Sequence, residues 1–298
     1  MPPRFKYEIN ADEVEVLENS KSQSGQDLLV VALTQGKRNG KWLEIGAGHP
    51  IAGNNTWLLE KYFGWQGDSI DINDPTLSVK QNEWRKLYSM IRSSFPTSMD
   101  IPSEWAPDAR YDQLPVHIQQ EIIEKHSYYE IFDSQPDIAN AIDFKNAWPT
   151  VRPKANFVIA DAVSLDYSNL SGPYDYLQID MDNAIGSVRC LRAITKYHRP
   201  SVITFEHDVY RRIPEVIQCR EESRDLLKEL GYVMIASDVV CGSPFDNSSN
   251  ECEPLYFEDW YAYPDLIDKE LINIYKQVDL DQKPIYYSDI LFQNYTFK

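Results

Sequence analysis

Short apolar runs alternate with amphipathic segments along most of this chain. Seven of the runs have the length and the β-branched or aromatic content of strands, and several of them end in an acidic residue. In chain order they lie in KWLEIGAG, WQGDSIDI, ANFVIAD, YDYLQID, SVITFEHD, YVMIASDVV and CEPLYFEDWYAY. The pattern predicts a sheet of about seven strands.

Segments with helical periodicity separate most of these strands: GQDLLVVALTQG, NNTWLLEKYFG, SVRCLRAITKY and EESRDLLKELG. We expect Ser24 to cap the first helix, Asn54 or Asn55 to cap the second, and Gly64 to end the second. Regular alternation of strand and helix predicts an α/β fold with a doubly wound, largely parallel sheet. The polar loop before the last strand is too short for a crossover helix, so the last two strands should pair antiparallel.

Residues 73–153 interrupt this alternation. Connections between a helix and the next strand usually take two to six residues, so a segment of this length is an insertion. Its aromatic residues, interleaved with arginines, are typical either of a sugar-stacking surface or of the core of a small helical subdomain. We therefore predict a single domain over residues 1–298, with a helical and loop insertion at 73–153 that acts as a lid or as a substrate-recognition element.

The charge balance excludes some classes of partner. The chain has 29 Lys and Arg against 46 Asp and Glu, a formal net charge of −17, which argues against a protein that follows nucleic-acid phosphates. No window reaches the roughly 18–20 apolar residues of a membrane span, and the N-terminus lacks the apolar core of a signal peptide. We expect a cytoplasmic protein that binds neither nucleic acid nor membrane.

The loop after the first strand, Glu44 to Pro50, contains the GxG pattern of a ligand-binding turn. Glycines let a backbone approach a ligand closely, and the following helix offers unpaired N–H groups. A dinucleotide fingerprint would place a third glycine at position 51, where this chain has Ile51, and Pro50 interrupts the helix start. The loop therefore favours a nucleoside without phosphates, and a turn that is merely rich in glycine is the alternative.

Acids follow the next strands along the chain. Asp71 comes 23 residues after Gly48, where a carboxylate can accept both ribose hydroxyls, and Asp161-Ala162 and Asp180 end later strands. Any one of these acids could simply cap a helix. Because parallel strands end at one edge of a sheet, their repetition indicates a ligand site there, with Asp161-Ala162 near the adenine amino group.

The order of these motifs resembles the class I S-adenosylmethionine-dependent methyltransferases, and more narrowly the FkbM-like O-methyltransferase family. The matching stretches include WLEIGAGHPIAGNNTWLLEKYFGWQGDSIDI, NFVIADAVSLDY, YDYLQIDMDNA and VITFEHDVY. The resemblance implies that S-adenosylmethionine is bound by Glu44, Gly46, Ala47, Gly48, Asn55, Thr56, Asp71, Asp161, Ala162 and Asp180. It implies an enzyme that methylates a hydroxyl of a small molecule or glycan.

One stretch departs from that family. FkbM-like proteins usually have an Asp-x-Glu-Gly-x-Glu run after the fourth strand, and here the run is Asp180-Met181-Asp182-Asn183-Ala184-Ile185. The altered run favours an alternative function, a degenerate methyltransferase fold that serves as a binding or assembly module. A nicotinamide-dependent oxidoreductase is disfavoured by Pro50 and Ile51.

Methyl transfer to a hydroxyl needs a proton acceptor at the same edge of the sheet. We predict His207 in that role, oriented by Glu206 or Asp208, with Asp180 and Asp182 framing the methyl group. The alternatives are a structural His207 bonded within its turn and an Asp182 that caps a helix. Asp180, Asp182 and Asp208 could also hold Mg²⁺, but the resemblance does not demand a metal, and none is predicted.

Overall fold

A computed structural model describes residues 4–6, 19–48, 50–51, 53–71, 148–149, 151–181, 184–240, 256–277 and 285–293. The chain divides into two units, Met1–Asp71 with Lys154–Lys298, and Ile72–Pro153. Nearly all of the second unit lies outside the described residues, and so do the predicted fold and role of the insertion. His49 and Asp182 also lie outside them.

The first unit alternates strands and helices along the chain. Its strands are β1 (Arg4–Phe5), β2 (Lys41–Ile45), β3 (Gln66–Asp71), β4 (Ala155–Ile159), β5 (Tyr176–Ile179), β6 (Val202–Glu206), β7 (Val233–Val240), β8 (Tyr256–Ala262) and β9 (Phe292–Gln293). Its helices are α1 (Gln26–Leu33), α2 (Trp57–Phe63), α3 (Ala184–Thr195), α4 (Pro214–Glu229), α5 (Lys269–Tyr275) and α6 (Tyr287–Leu291). Among them is no helix with the length and hydropathy that would let it span a bilayer.

Seven strands form one mixed sheet in the order β4-β3-β2-β5-β6-β8-β7, and β1 pairs separately with β9. The five strands from β4 to β6 are parallel, while β8 is antiparallel to both β6 and β7. The α/β class, the seven strands and the antiparallel last strand are therefore confirmed. Strand order reverses between β2 and β5, and such a switch point leaves a crevice at the carboxyl ends of the strands.

Helices cover both faces of the sheet and define two apolar cores. On the α1 face, the helices α1 and α2 pack against Trp42, Tyr176 and Trp260. On the α3 face, α3 and α4 pack against residues such as Ile45 and Phe205. Because side chains alternate along a strand, each strand contributes every second residue to each core.

The predicted helix ends are partly corrected. Gly25 rather than Ser24 precedes α1, and the Ser24 hydroxyl donates to the Val240 carbonyl at 3.2 Å, so it is committed to β7 instead of the helix. Thr56 occupies the N-cap position of α2, while Asn54 accepts from the Thr56 N–H at 3.0 Å. Gly64 ends α2 in the left-handed conformation, as predicted.

Candidate functional site

Five residues stand side by side across the carboxyl edge of the sheet. In the sheet register, Ile45 of β2 lies opposite Ile70 of β3 and Ile179 of β5. Ile179 in turn lies opposite Phe205 of β6. The residues that follow these four are therefore neighbours across the strands. Glu206 in turn pairs directly with Glu258 of β8. From β3 to β8 the members of this acidic row are Asp71, Gly46, Asp180, Glu206 and Glu258.

The acidic row belongs to the α1 face. Ile45, Ile70, Ile179 and Phe205 all pack in the core of the α3 face. Since successive residues of a strand point to opposite faces, the residues that follow them point toward α1 and α2. A hydrogen bond between Gln26, at the start of α1, and the Glu258 carboxylate agrees with this direction.

Gly46 makes a gap in the row at the strand switch point. It has a φ of 77°, and a Cβ placed on it would lie 1.6 Å from the carbonyl oxygen of Asp180. Only glycine fits this approach of β2 to β5. The row is therefore interrupted, between Asp71 and Asp180, by a position without a side chain.

Asp71 is tied to the glycine loop. The Gly48 N–H donates to Asp71 Oδ2 at 2.8 Å, and the Gly46 N–H donates to the Ile70 carbonyl at 2.9 Å. These bonds fix a carboxylate beside the loop, as the sequence analysis predicts for a ribose-binding acid. The contact of Asp71 with ribose stays a prediction.

Glu44 holds the loop from inside the protein. Its carboxylate accepts from Asn54 Nδ2 at 3.1 Å, from Thr56 Oγ1 at 3.1 Å and from Ser69 Oγ at 2.7 Å. Glu44 is 1% exposed and Thr56 is fully buried. The structure thus places Glu44 and Thr56 behind the loop, one level below the acidic row, and their contact with the donor stays a prediction.

Two buried side-chain oxygens on this side have no hydrogen-bond partner among the described residues: Asn55 Oδ1 and Gln178 Oε1. Gln178 lies two residues before Asp180, on the same face, and Asn55 immediately precedes Thr56. Buried acceptors are nearly always satisfied in folded proteins, by water or a ligand where protein atoms do not serve. Both oxygens therefore favour a bound polar molecule here.

Burial and crowding keep protons on two of the acids. The pKa of Glu206 rises to about 12, because of burial first and then the negative charges of Asp180 and Asp208, and Glu206 is hydrogen-bonded to Asp180. Burial likewise raises the pKa of Glu258 to about 8, although Trp260 Nε1 donates to it at 2.6 Å. The row thus holds protons that an arriving positive charge would displace.

Asp161 and Ala162 lie just beyond the end of β4. Asp161 is exposed and accepts from the Val163 N–H at 2.9 Å through Oδ1, within the turn at residues 162–164. The Ala162 carbonyl accepts from the Tyr167 hydroxyl at 2.8 Å. Their contact with adenine stays a prediction, and so does that of the Ala47 backbone.

His207 does not face the acidic row. Its side chain is fully buried, and Nδ1 accepts from the Val209 N–H at 3.2 Å. A neutral ring with Nδ1 as acceptor carries its proton on Nε2, which faces Asp259 at 3.4 Å and Asp238 at 3.5 Å. Both nitrogens thus face away from the acidic row, and the role of His207 as proton acceptor stays a prediction.

His207, Asp238 and Asp259 offer ligand atoms within 4.8 Å of one another, a spacing that would suit a metal ion. Two guanidinium groups already hold these carboxylates. Arg224 reaches Asp259 at 2.7 Å and Asp238 at 3.0 Å, and Arg220 reaches Asp238 at 3.1 Å. A divalent cation would be repelled by both arginines, so the group is an ion-pair network beneath the α3 face.

Sequence reasoning missed Glu206 and Glu258 as members of the site. Glu206 entered only as a neighbour of His207, and the FEDWYAY strand entered only as a core strand. Glu206 is the last residue of β6 and Glu258 is the third residue of β8, and an acid within a mainly apolar strand was the available signal. Their adjacency depends on strand register, which the sequence does not contain.

No family model matches this chain, and no curated protein sequence matches it either. The FkbM-like resemblance is therefore not confirmed. The chain is similar in structure to an O-methyltransferase from Bacillus cereus in complex with SAH, with 16% identity over 85% of this chain and 92% of that chain and a TM-score of 0.41. For a candidate O-methyltransferase from Klebsiella pneumoniae the identity is 14%, the coverage 86% and 91%, and the TM-score 0.42.

An rRNA methylase from Streptococcus thermophilus is also similar, with 7% identity over 79% of this chain and 94% of that chain and a TM-score of 0.34. The prediction that nucleic acid is not a partner stays a prediction. At such identities and TM-scores, the likeness does not establish a donor or an acceptor for this chain.

Proposed function

We propose that this protein is an S-adenosylmethionine-dependent methyltransferase whose donor binds at the strand switch point, against Gly46 and the acidic row. The observation that carries the proposal is the row itself: acids on both sides of a side-chain-free position, at the edge where open α/β sheets bind ligands. This arrangement suits a nucleoside that bears positive charge.

Charge distinguishes this donor from other nucleosides. A dinucleotide or nucleotide would place phosphate oxygens beside Asp71 and Asp180, and like charges at that distance repel. S-adenosylmethionine carries a sulfonium and an amino group, both of which the acids would attract. When bound, it supplies an activated methyl group on sulfur.

This chain's residues would hold such a donor in three ways. Asp71 accepts the ribose hydroxyls beside the Gly48 N–H, and the chain between ribose and sulfur passes the side-chain-free position 46. Asp180 and Glu206 lie next along the row. Asn55 Oδ1 and Gln178 Oε1 are buried acceptors that a donor's amino group, directly or through water, would satisfy.

We further propose that the acceptor is a hydroxyl of a small molecule or glycan, that Mg²⁺ is not required, and that the protein works in the cytoplasm. Acidic surfaces repel nucleic-acid phosphates, and the net charge of −17 supports an acceptor of another class. The alternative is a binding module without transfer, which the altered run after Asp180 favours. A labelled methyl group found on an acceptor would contradict that alternative.

Calorimetry with S-adenosylmethionine, NAD and ATP tests the donor. We expect the first to bind, and Asp71→Ala to weaken it by roughly 1.5–3 kcal/mol, the worth of hydrogen bonds to a charged group. A matched control is Asp265→Ala, an exposed acid beyond the far end of β8. Equal donor affinity in the wild type and Asp71→Ala, or tighter binding of NAD, would contradict the assignment.

A further inference from the structure

Glu206 is the central acid of the row. It lies between Asp180 and Glu258 in register, is half-buried, and is hydrogen-bonded to Asp180. His207, the next residue, points to the opposite face, where Nδ1 accepts from the Val209 N–H and Nε2 lies 3.4 Å from Asp259. A site for methyl transfer to a hydroxyl therefore has its candidate proton acceptor at Glu206.

Resting on the proposed function, we propose that Glu206 is the proton-accepting residue of this site: it releases its own proton when the sulfonium donor binds and takes up the proton that the acceptor hydroxyl loses. The assignment goes beyond donor binding, since it gives a role to a residue that neither the loop motif nor the resemblance includes.

Electrostatics explains the first half of this cycle. In the free protein the Glu206 carboxyl keeps its proton, because burial and the facing charges of Asp180, Asp208 and Glu258 disfavour another anion. A sulfonium beside Asp180 adds a positive charge to the same group of acids. The added charge favours the ionised form of Glu206, so its proton leaves to solvent.

The second half reverses the first. During transfer the S–CH₃ bond breaks with its electron pair on sulfur, an O–CH₃ bond forms, and the hydroxyl proton passes to the Glu206 carboxylate. Loss of the sulfonium charge restores the repulsion among the acids, so Glu206 becomes more basic as the reaction proceeds. The protein returns to its starting protonation state when the neutral thioether leaves.

Proton release on binding is a direct readout that does not need an acceptor. Calorimetric titration of the intact protein in buffers of different ionisation enthalpy gives the protons released for each donor bound. Because Glu258 also holds a proton, we expect the wild type to release about one proton more than Glu206→Gln when S-adenosylmethionine binds. The uncharged thioether SAH should release about none from the wild type.

The pH dependence gives a second readout. Because binding releases a proton from Glu206, the affinity of the wild type for S-adenosylmethionine should rise with pH more steeply than that of Glu206→Gln, by up to about tenfold per pH unit. With a hydroxyl acceptor, Glu206→Gln should also lower turnover by about 10²–10⁴-fold, the usual range for a general base.

The outcomes separate this inference from the proposed function. If S-adenosylmethionine does not bind to the wild type, the proposed function fails and this inference with it. If it binds without proton release, or with equal release in Glu206→Gln, the donor site stands and the role of Glu206 is overturned. Asp265→Asn is the control and should release as many protons as the wild type, and the contrast with SAH decides the matter even if Glu206→Gln does not fold.

Discussion

The two faces of the central sheet come from alternate residues of the same strands, yet they differ in chemistry. Toward α3 and α4, the strands β2, β5 and β6 present only apolar side chains: Leu43, Ile45, Leu177, Ile179, Ile203 and Phe205. Toward α1 and α2, the same strands present Glu44, Gln178 and Thr204 at one level and the acidic row at the next.

This difference separates stability from function. Each apolar side chain buried on the α3 face contributes about 1.5–3 kcal/mol, and nothing there calls for a ligand. Buried polar groups on the α1 face stabilise the fold little, even when they are paired as Glu44 is. A polar layer retained at the strand switch point is therefore typical of a binding site.

Adjacent residues of β8 show the contrast most sharply. Glu258 faces α1, and burial raises its pKa to about 8. Asp259 faces α4, where burial alone would raise its pKa, but contacts with His207 and Arg224 lower the pKa below its ordinary value. These two acids are consecutive in the chain, yet their contributions to stability depend on pH in opposite directions.

The largest effect should come from closing the gap in the acidic row. In Gly46→Ala, the new Cβ would meet the Asp180 carbonyl oxygen at 1.6 Å, and backbone atoms cannot rotate away as a side chain can. We expect a loss of more than about 4 kcal/mol in the free energy of unfolding, measured by urea titration. Donor binding should be lost in any protein that remains folded.

Gly48→Ala is the matched control for this change. Gly48 also has a positive φ, of 53°, but among the described residues, its chain neighbours aside, no atom lies within 4 Å of a Cβ placed on it. Only the backbone strain of about 1 kcal/mol should remain. Equal destabilisation by the two substitutions would show that position 46 requires glycine because of its positive φ and not because of the close approach of β2 to β5.

The second effect concerns the α1 face of β8. Since Glu258 holds its proton up to about pH 8 when folded, while an unfolded glutamate loses it near pH 4.5, the wild type binds more protons folded than unfolded in this range. Its stability should therefore fall as pH rises between about pH 5 and pH 8. Glu258→Gln should remove up to about 4 kcal/mol of this fall, in thermal unfolding followed across the range. Parallel pH curves for the two proteins would contradict the raised pKa.

The third effect concerns the α3 face. Arg224→Met would leave the Asp259 carboxylate, which is fully buried, without its bidentate partner, and we expect a loss of about 3 kcal/mol. Because the pKa of Asp259 is lowered in the fold, its contribution is present above about pH 4 and is lost as pH falls through the folded pKa. Acid unfolding of Arg224→Met should therefore begin at a higher pH than in the wild type, and an unchanged acid midpoint would contradict this.

The fold could be predicted from sequence because alternation of apolar runs and helical segments is a local signal. In KWLEI and YLQI, successive side chains point to alternate faces of the sheet. Helical segments between such strands indicate crossover connections and hence parallel pairing. The place of β8, between β6 and β7, could not be predicted. A short loop indicates an antiparallel pair, but it does not say which partner lies inside the sheet.

The site divides in the same way. Gly46, Gly48 and Asp71 belong to one βαβ unit, so spacing alone could bring them together, and the Gly48–Asp71 bond agrees with that expectation. Glu206 and Glu258 are 52 residues apart and meet only through strand register. The direction of the His207 ring could not be predicted, because Asp238 and Asp259, which lie near its Nε2, come from distant segments of the chain.

The smallest effect should separate Glu206 from its neighbour. In His207→Gln, the new amide oxygen can accept from the Val209 N–H while its NH₂ group faces Asp259, so we expect a loss of about 1 kcal/mol in unfolding free energy. Turnover should stay above about a tenth of the wild-type value, whereas the loss of a general base lowers it by about 10²–10⁴-fold. Single-turnover rates of His207→Gln and Glu206→Gln, measured side by side at saturating donor, make the comparison. A slow His207→Gln beside a nearly normal Glu206→Gln would mean that the imidazole turns toward the α1 face during the reaction. The division into a structural α3 face and a functional α1 face would then fail at this turn.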